Sequence, residues 1–330
     1  MVERNSSAAE GGHPSRGGSE GPTDMPPTSW WASLRRTVGE FKKDALADLA
    51  AGLTYYAILA IFPALLVLVS LVGLAGPEAT QTLSENVSRA MPADTGQLVT
   101  TAIENLQSNQ TAAGVFGLIS LAVALWSASG YIAAFMRASN VVYDVPEGRP
   151  IWKTLPIRVG VTLLMVVLLS LTVIGVTLSG GVAQRVGELL GLGSTVVTVW
   201  DIAKWPVLLL MVVFMIALLY WASPNAKRGF RWVSPGSVIA VVLWLVASAA
   251  FAFYVANFAS YGRTYGSMAT VVIFLVWLWI TNIAILLGEE FNAEIERGRA
   301  ISEGTPETEE PYVEMRDRPK KKHRAHHRQK

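Results

Sequence analysis

The chain has 330 residues, of which 52% are hydrophobic and only 16% charged, against the ~25% charge usual in soluble domains. The apolar residues fall in long blocks, which excludes one soluble fold and points to a polytopic helical membrane protein, because lipid offers backbone groups no partner. The absence of cysteine excludes a disulfide framework or thiolate metal site, and the net charge of +2 informs only through its distribution.

Residues 1–28 are rich in Gly, Ser, Pro and Glu. They cannot bury enough apolar surface to offset the entropy of ordering, so they read as a disordered tail. A secretory signal peptide is not expected, since no basic region abuts a short apolar run near Met1. Over 29–44 the pattern changes: Trp30, Trp31, Leu34, Val38 and Phe41 recur at helical spacing while Arg35, Arg36, Lys42 and Lys43 take other faces. That spacing predicts an amphipathic helix lying in the headgroup plane.

Residues 45–295 then read as a six-helix transmembrane domain, all-α, with uncharged spans at about 49–75, 113–136, 159–183, 205–222, 235–259 and 267–288. Basic residues gather before span 1, between spans 2 and 3 (Arg137, Arg149, Lys153, Arg158), between spans 4 and 5 (Lys227, Arg228, Arg231) and after span 6. By the positive-inside rule both termini are expected to be cytoplasmic. The outer segment from Pro77 to Ala112 carries Leu83, Val87 and Met91, then Leu98, Ala102 and Leu106, at helical spacing; two short amphipathic helices are expected there. Leu189, Leu190 and Leu192 form a similar patch after span 3. Spans 5 and 6 are separated by so few residues that they should form an antiparallel hairpin. Beyond them, residues 296–330 turn acidic and then strongly basic, which reads as a disordered tail whose end can touch anionic lipid.

Charges at the ends of spans are costly and tend to face a cavity or a partner. Asp48, Arg137, Asn140, Tyr143, Glu289, Glu290 and Asn292 all fall on the expected cytoplasmic side and form a candidate gate or ion-pair cluster. Residues in sequence point about 100° apart on a helix, so Glu289 and Glu290 cannot share a partner; one of them, or Asp48, is the candidate mate of Arg137. The competing reading is ordinary interfacial end charges. Deeper in the membrane, Thr54, Tyr55, Tyr56, Ser127, Ser129 and Asn282 form a candidate polar path, against the alternative of local bonds to carbonyls one turn back. Pro63 interrupts span 1 and is a candidate hinge or fixed bend, and Tyr265 with Gly266 forms a candidate turn before span 6. Stripes of small residues, Gly130, Ala134 and Ala138 in span 2 and Ser248, Ala252 and Ala256 in span 5, predict close helix packing.

Ala51-Gly52-Leu53-Thr54-Tyr55-Tyr56-Ala57 leading to Phe62-Pro63, Asn140-Val141-Val142-Tyr143, Pro235-Gly236-Ser237, Tyr265-Gly266-Ser267 and Leu287-Gly288-Glu289-Glu290-Phe291-Asn292-Ala293 together resemble the YihY/BrkB family of bacterial inner-membrane proteins. The likeness covers about residues 40–295. It implies a six-helix transporter or exporter of the bacterial plasma membrane; members have also been labelled ribonuclease BN or virulence factor. A metal-dependent nuclease needs clustered His and Asp ligands, whereas the histidines are His13, His323, His326 and His327, all in the tails, so ribonuclease activity is not expected. Nor is there a Gly-x-x-x-x-Gly-Lys-Ser/Thr loop to cradle nucleotide phosphates.

The expected function is therefore passive or ion-coupled transport or export of a lipid or other amphiphile, without ATP hydrolysis, catalysis or a cofactor. The rival from another class is a non-transporting membrane scaffold that recruits partners or lipids through its tails. Expected partners are membrane lipids, including anionic inner-leaflet lipid at the basic segments, and a transported substrate; nucleic acid is not expected.

Overall fold

The computed structural model describes residues 27–73, 115–177, 194–229, 232–257 and 267–319. The expected outer helices between Pro77 and Ala112, the patch at Leu189–Leu192 and the turn at Tyr265 and Gly266 lie outside those residues. Among them the chain is all-helical: α1 Pro27–Lys43, α2 Leu46–Gly73, α3 Val115–Val142, α4 Ile151–Thr177, α5 Ser194–Ala222, α6 Pro235–Asn257 and α7 Ser267–Ser302.

The described part of each stretch expected to span is helical. Among the described residues, four segments are long and apolar enough to cross a membrane as they stand: Ile151–Val173, Thr198–Ala222, Pro235–Ala256 and Val271–Ser302. A fifth arises if Trp31–Lys43 and Leu46–Ile61, bent by 69° at their junction, count as one. Exposed Leu164, Leu171, Leu210, Val246 and Phe253 give these helices an apolar outer surface that only lipid can cover. This is a multi-pass membrane protein.

Helix ends follow local chemistry. α6 opens with Pro235 at its first position, where a missing N–H costs nothing. Ser234 and Ser237 cap it reciprocally, each backbone N–H donating to the other's hydroxyl at 3.1 Å. α3 closes with Asp144 in the left-handed region (φ 50°), while the Val145 N–H donates to the Asn140 carbonyl at 3.0 Å and the Asp144 N–H to that of Val141 at 2.9 Å. That pair is a Schellman closure. The bend between α1 and α2 falls at Asp44 and Ala45, where Ala45 is again left-handed (φ 49°). α2 itself continues through Pro63, so the turn in this region belongs to the α1–α2 elbow.

α7 lies against α1, α2, α3 and α6, and α2 also packs on α3. Further pairs are α1–α2, α2–α4, α3–α4, α4–α5 and α5–α6. α6 and α7 are antiparallel: Gly236 opens α6 beside Gly288 near the end of α7, and Ser248 meets Trp277 earlier in α7. Of the two small-residue stripes, Ala134 and Ala138 are buried, whereas Ala252 and Ala256 are exposed. The packed core runs through Leu46, Leu53, Phe135, Tyr143, Tyr220 and Leu286, with Phe135 and Tyr220 stacked at 6.4 Å.

Two expectations change. α1 exposes Trp31 and Val38, as an interfacial helix should, but its inner face is polar: Ser33 and Thr37 are buried, and Arg36 forms an ion pair with Glu294 of α7. The chain after Glu294 is also ordered further than its composition suggests. Residues 296–302 complete α7, and 303–319 form a strap over the polar end of the bundle, bridging antiparallel at Ala226 and Met315. A charged segment can be held this way when its backbone groups and side chains find fixed partners.

Candidate functional site

Three glutamates close the buried part of α7. Glu289, Glu290 and Glu294 are 0%, 1% and 2% exposed, and helical geometry sends them to different neighbours. Glu289 faces α3, where the Ser139 hydroxyl donates to Oε2 at 3.0 Å; Oε1 has no hydrogen-bond partner. Glu294 faces α1 and is held by Arg36, with Arg297 at 3.6 Å. Glu290 points to the α1–α2 elbow, where Asp44, Glu294 and Glu40 add negative field, and its Oε2 is unpartnered. Burial first, then Asp144 and Glu40, pushes the Asp44 carboxyl up to about 6.

The expected pairing of Arg137 is not what the structure shows. Arg137 is exposed, lies over the Tyr56 ring at 5.4 Å and donates to the Ala133 carbonyl at 3.1 Å. Asp48 is exposed as well. Among the described residues no ion pair joins Arg137 to Asp48, Glu289 or Glu290. The physical reason is angular: Ser139, two residues on from Arg137 and so about 200° around α3, faces the bundle, which turns Arg137 away.

Asn140, Tyr143 and Asn292 do belong to the buried polar end, with structural partners. Asn140 donates to Glu147 at 2.9 Å and accepts from the Asn225 N–H at 2.7 Å. Asn225 in turn reaches the Pro146 and Asp317 carbonyls. Beside it, the buried Arg149 guanidinium holds Glu147 through two nitrogens and donates to the carbonyls of Ala222, Ser223 and Pro224. Burial opposes ionisation of Glu147, yet hydrogen bonds from Arg149 and Asn140 keep its carboxyl below the ordinary range. Tyr143 accepts a hydrogen bond from Arg228, whose guanidinium lies 4.6 Å from its ring centre. Asn292 binds the start of α6, accepting from the Gly236 N–H at 2.8 Å and donating to the Ser234 hydroxyl at 3.0 Å.

The polar-path candidates divide. Asn282 and Thr54 meet: Asn282 donates to the Thr54 hydroxyl at 3.1 Å and accepts from the partly buried Tyr131 at 2.9 Å, so one polar triad ties α2, α3 and α7. Ser129 is buried and receives Arg158 at 2.6 Å. Tyr55 and Ser127 are exposed, and Tyr56 is partly buried beneath Arg137. Sequence reasoning missed Ser139, Tyr131, Tyr220 and Asn225 and used Arg36, Arg149 and Arg228 only as topogenic charges. The Ser223-Pro224-Asn225 turn is the one local signal that marked the hub.

A cavity of about 220 Å³ opens at this end between α5, α6 and α7, lined by Tyr220, Trp221, Lys227, Arg228, Glu296 and Arg299 among others. Among the described residues no group of three or more His, Cys, Asp or Glu side chains is placed to hold a metal ion.

Comparison with known proteins agrees with this architecture. A family profile described as virulence factor BrkB matches residues 37–311. A Bacillus subtilis protein named ribonuclease-like protein YfkH is 29% identical over 78% of this chain and 92% of its own length. An Alkalilimnicola ehrlichii protein named UPF0761 membrane protein is 31% identical over 80% of this chain and 59% of its own length. The corresponding figures for a UPF0761 membrane protein of Mannheimia succiniciproducens are 26%, 80% and 89%. No solved structure matches the chain.

Proposed function

We propose that this chain, which belongs to the virulence factor BrkB family, is a six-span transporter or exporter of the bacterial plasma membrane that moves a lipid or other amphiphile without hydrolysing ATP. Both termini are cytoplasmic on this reading, and the polar end described above faces the cytoplasm. The basic residues of the α3–α4 and α5–α6 connections and of the C-terminal segment support that orientation.

The observation that carries the reading is Glu289. A carboxylate at the buried end of a span, with one oxygen lacking a hydrogen-bond partner, is costly to keep unless it is used. Its Ser139 bond fixes one oxygen and leaves the other for a coupling ion or a polar group of the cargo. Asn282 lies seven residues earlier, two turns up the same face and about 10 Å deeper, and with Thr54 and Tyr131 continues the polar groups into the span. Transport that is passive or coupled to an ion is consistent with this arrangement.

Purified protein reconstituted in liposomes should accelerate translocation of a fluorescent phospholipid or flux of a small amphiphile. Glu289→Gln should slow it. If wild-type and empty liposomes behave alike for ions, small solutes and lipids, the proposal fails. The ribonuclease-like name of the Bacillus subtilis relative makes a separate check worthwhile: repurified protein with Mg²⁺ should leave RNA intact. Reporter fusions between Pro77 and Ala112 should signal outside the cytoplasm, and a cytoplasmic signal there would overturn the orientation.

A further inference from the structure

The cavity between α5, α6 and α7 is not used by the reading above. Its lining carries three cations, Lys227, Arg228 and Arg299, and one carboxylate, Glu296. The excess of positive charge sits at the end of the bundle, beside the opening of α6.

Arg228 is held in a fixed posture. Its Nη1 donates to the Tyr143 hydroxyl, its plane lies over that ring, and its Nε is 2.9 Å from Glu296. These contacts run through Nε and Nη1, so Nη2 is the nitrogen left to donate to a phosphate oxygen. Lys227 is anchored differently. It reaches Glu314 of the strap at 3.3 Å, but its side chain is 66% exposed, so it can swing to an incoming anion at little cost.

The rim is apolar. Trp232 and Val233, just before α6, are 71% and 51% exposed, and Trp232 stacks on Phe214 at 5.3 Å. Exposed Trp beside cationic side chains is the arrangement of the headgroup level of a bilayer. From there Val238, Val242 and Leu245 continue exposed along α6, an apolar track on which acyl chains can lie. The first N–H groups of α6 are already taken by Asn292 and Ser234, so the cationic side chains supply the attraction and the helix end does not.

We propose that this cavity binds the phosphate of a phosphate-ester headgroup, with the lipid's acyl chains along the exposed face of α6. The proposal rests on the reading above only for assigning the cytoplasmic leaflet; binding does not require that the protein transport anything.

The test uses the full chain purified in a neutral detergent. Three probes are titrated while the thermal midpoint and intrinsic Trp fluorescence are followed: dioctanoyl phosphatidylglycerol, glycerol 3-phosphate and dioctanoylglycerol. The phosphatidylglycerol should saturate and raise the midpoint, glycerol 3-phosphate should bind about tenfold or more weakly for want of the acyl contribution, and dioctanoylglycerol should give no saturable response. Lys227→Glu, at an exposed position that cannot upset packing, should weaken phosphatidylglycerol binding about tenfold. Arg228→Lys, which keeps the charge and loses the planar guanidinium held over Tyr143, should weaken it too. Lys153→Gln, outside the cavity, should not. Equal response to dioctanoylglycerol, or unchanged affinity in Lys227→Glu, would overturn the site. Glycerol 3-phosphate binding as tightly as the lipid would overturn the lipid assignment in favour of a soluble phosphate ester. Because flux is not measured, a negative result here is distinguishable from failure of the transport reading.

Discussion

Gly236→Ala tests the packing on which the buried polar end depends. A Cβ at residue 236 would lie 2.0 Å from the Gly288 carbonyl oxygen and 2.6 Å from Asn292 Cγ. Real Cβ atoms essentially never come under 3.0 Å, so α6 and α7 must part by about 1 Å, and the obstacle is backbone, which cannot rotate aside. Overpacking of this kind costs about 1–3 kcal/mol. The same shift stretches the 2.8 Å bond from the Gly236 N–H to Asn292, and a buried donor left unpaired adds about 1–3 kcal/mol. We expect a total of about 3–4 kcal/mol, since the two terms share one relaxation. The internal control is Gly52→Ala. Gly52 is also helical, but a Cβ there meets nothing within 4 Å, so the higher helix propensity of Ala should stabilise by about 0.5–1 kcal/mol. Thermal unfolding of both variants in one detergent, followed by far-UV circular dichroism, should move the midpoint in opposite directions. A Gly236→Ala midpoint equal to or above wild type would refute the close crossing.

Asp44→Asn should be pH-dependent. Because the folded carboxyl is raised from 3.8 to about 6, the fold disfavours its charge: stability is highest below about pH 4 and falls as pH rises through 6. Full linkage would be about 3 kcal/mol, and half-burial with solvent screening brings it to about 1 kcal/mol. The variant should therefore melt higher than wild type at pH 8 and alike at pH 4.5; a pH-independent difference would contradict the burial argument. Arg149→Ala strands Glu147 and three carbonyls and should destabilise by about 3–5 kcal/mol, read as lost monodisperse yield or a lower midpoint. Tyr131→Phe removes only the bond to Asn282 and should cost about 1 kcal/mol. Glu289→Gln keeps an acceptor for Ser139 while removing a buried ionisable group, so it should match or exceed wild-type stability even as flux falls. A parallel loss of both would mark Glu289 as merely structural.

Much of the architecture was legible before any coordinates. Hydrophobic length alone placed the helices, because a chain in lipid has no other way to satisfy its backbone over such stretches. Asn282, Thr54, Glu289 and Asn292 were also legible as buried polar positions, since their cost in an apolar run is visible residue by residue. Partners were another matter. Arg137 looks like the natural mate for Glu289, Glu290 or Asp48, yet Arg137 and Asp48 are both exposed; the partner of Glu289 is Ser139, a residue with no signature of its own. The strap over 303–319 was hidden for a related reason. Its composition suits a solvated tail, and only the Asn225 hub and the carbonyls that receive Arg316 give its charges somewhere to settle.

The sequence by itself thus determined a helical membrane protein, where its long apolar helices lie and which residues are too polar to be there without cause. The tertiary structure decided which of those residues meet and left Glu289 with an open oxygen. Helix length and burial cost are sums over neighbouring residues, whereas a pairing depends on how helices far apart in sequence rotate and cross. That rotation is set by contacts such as Gly236 against Gly288, which no local window contains.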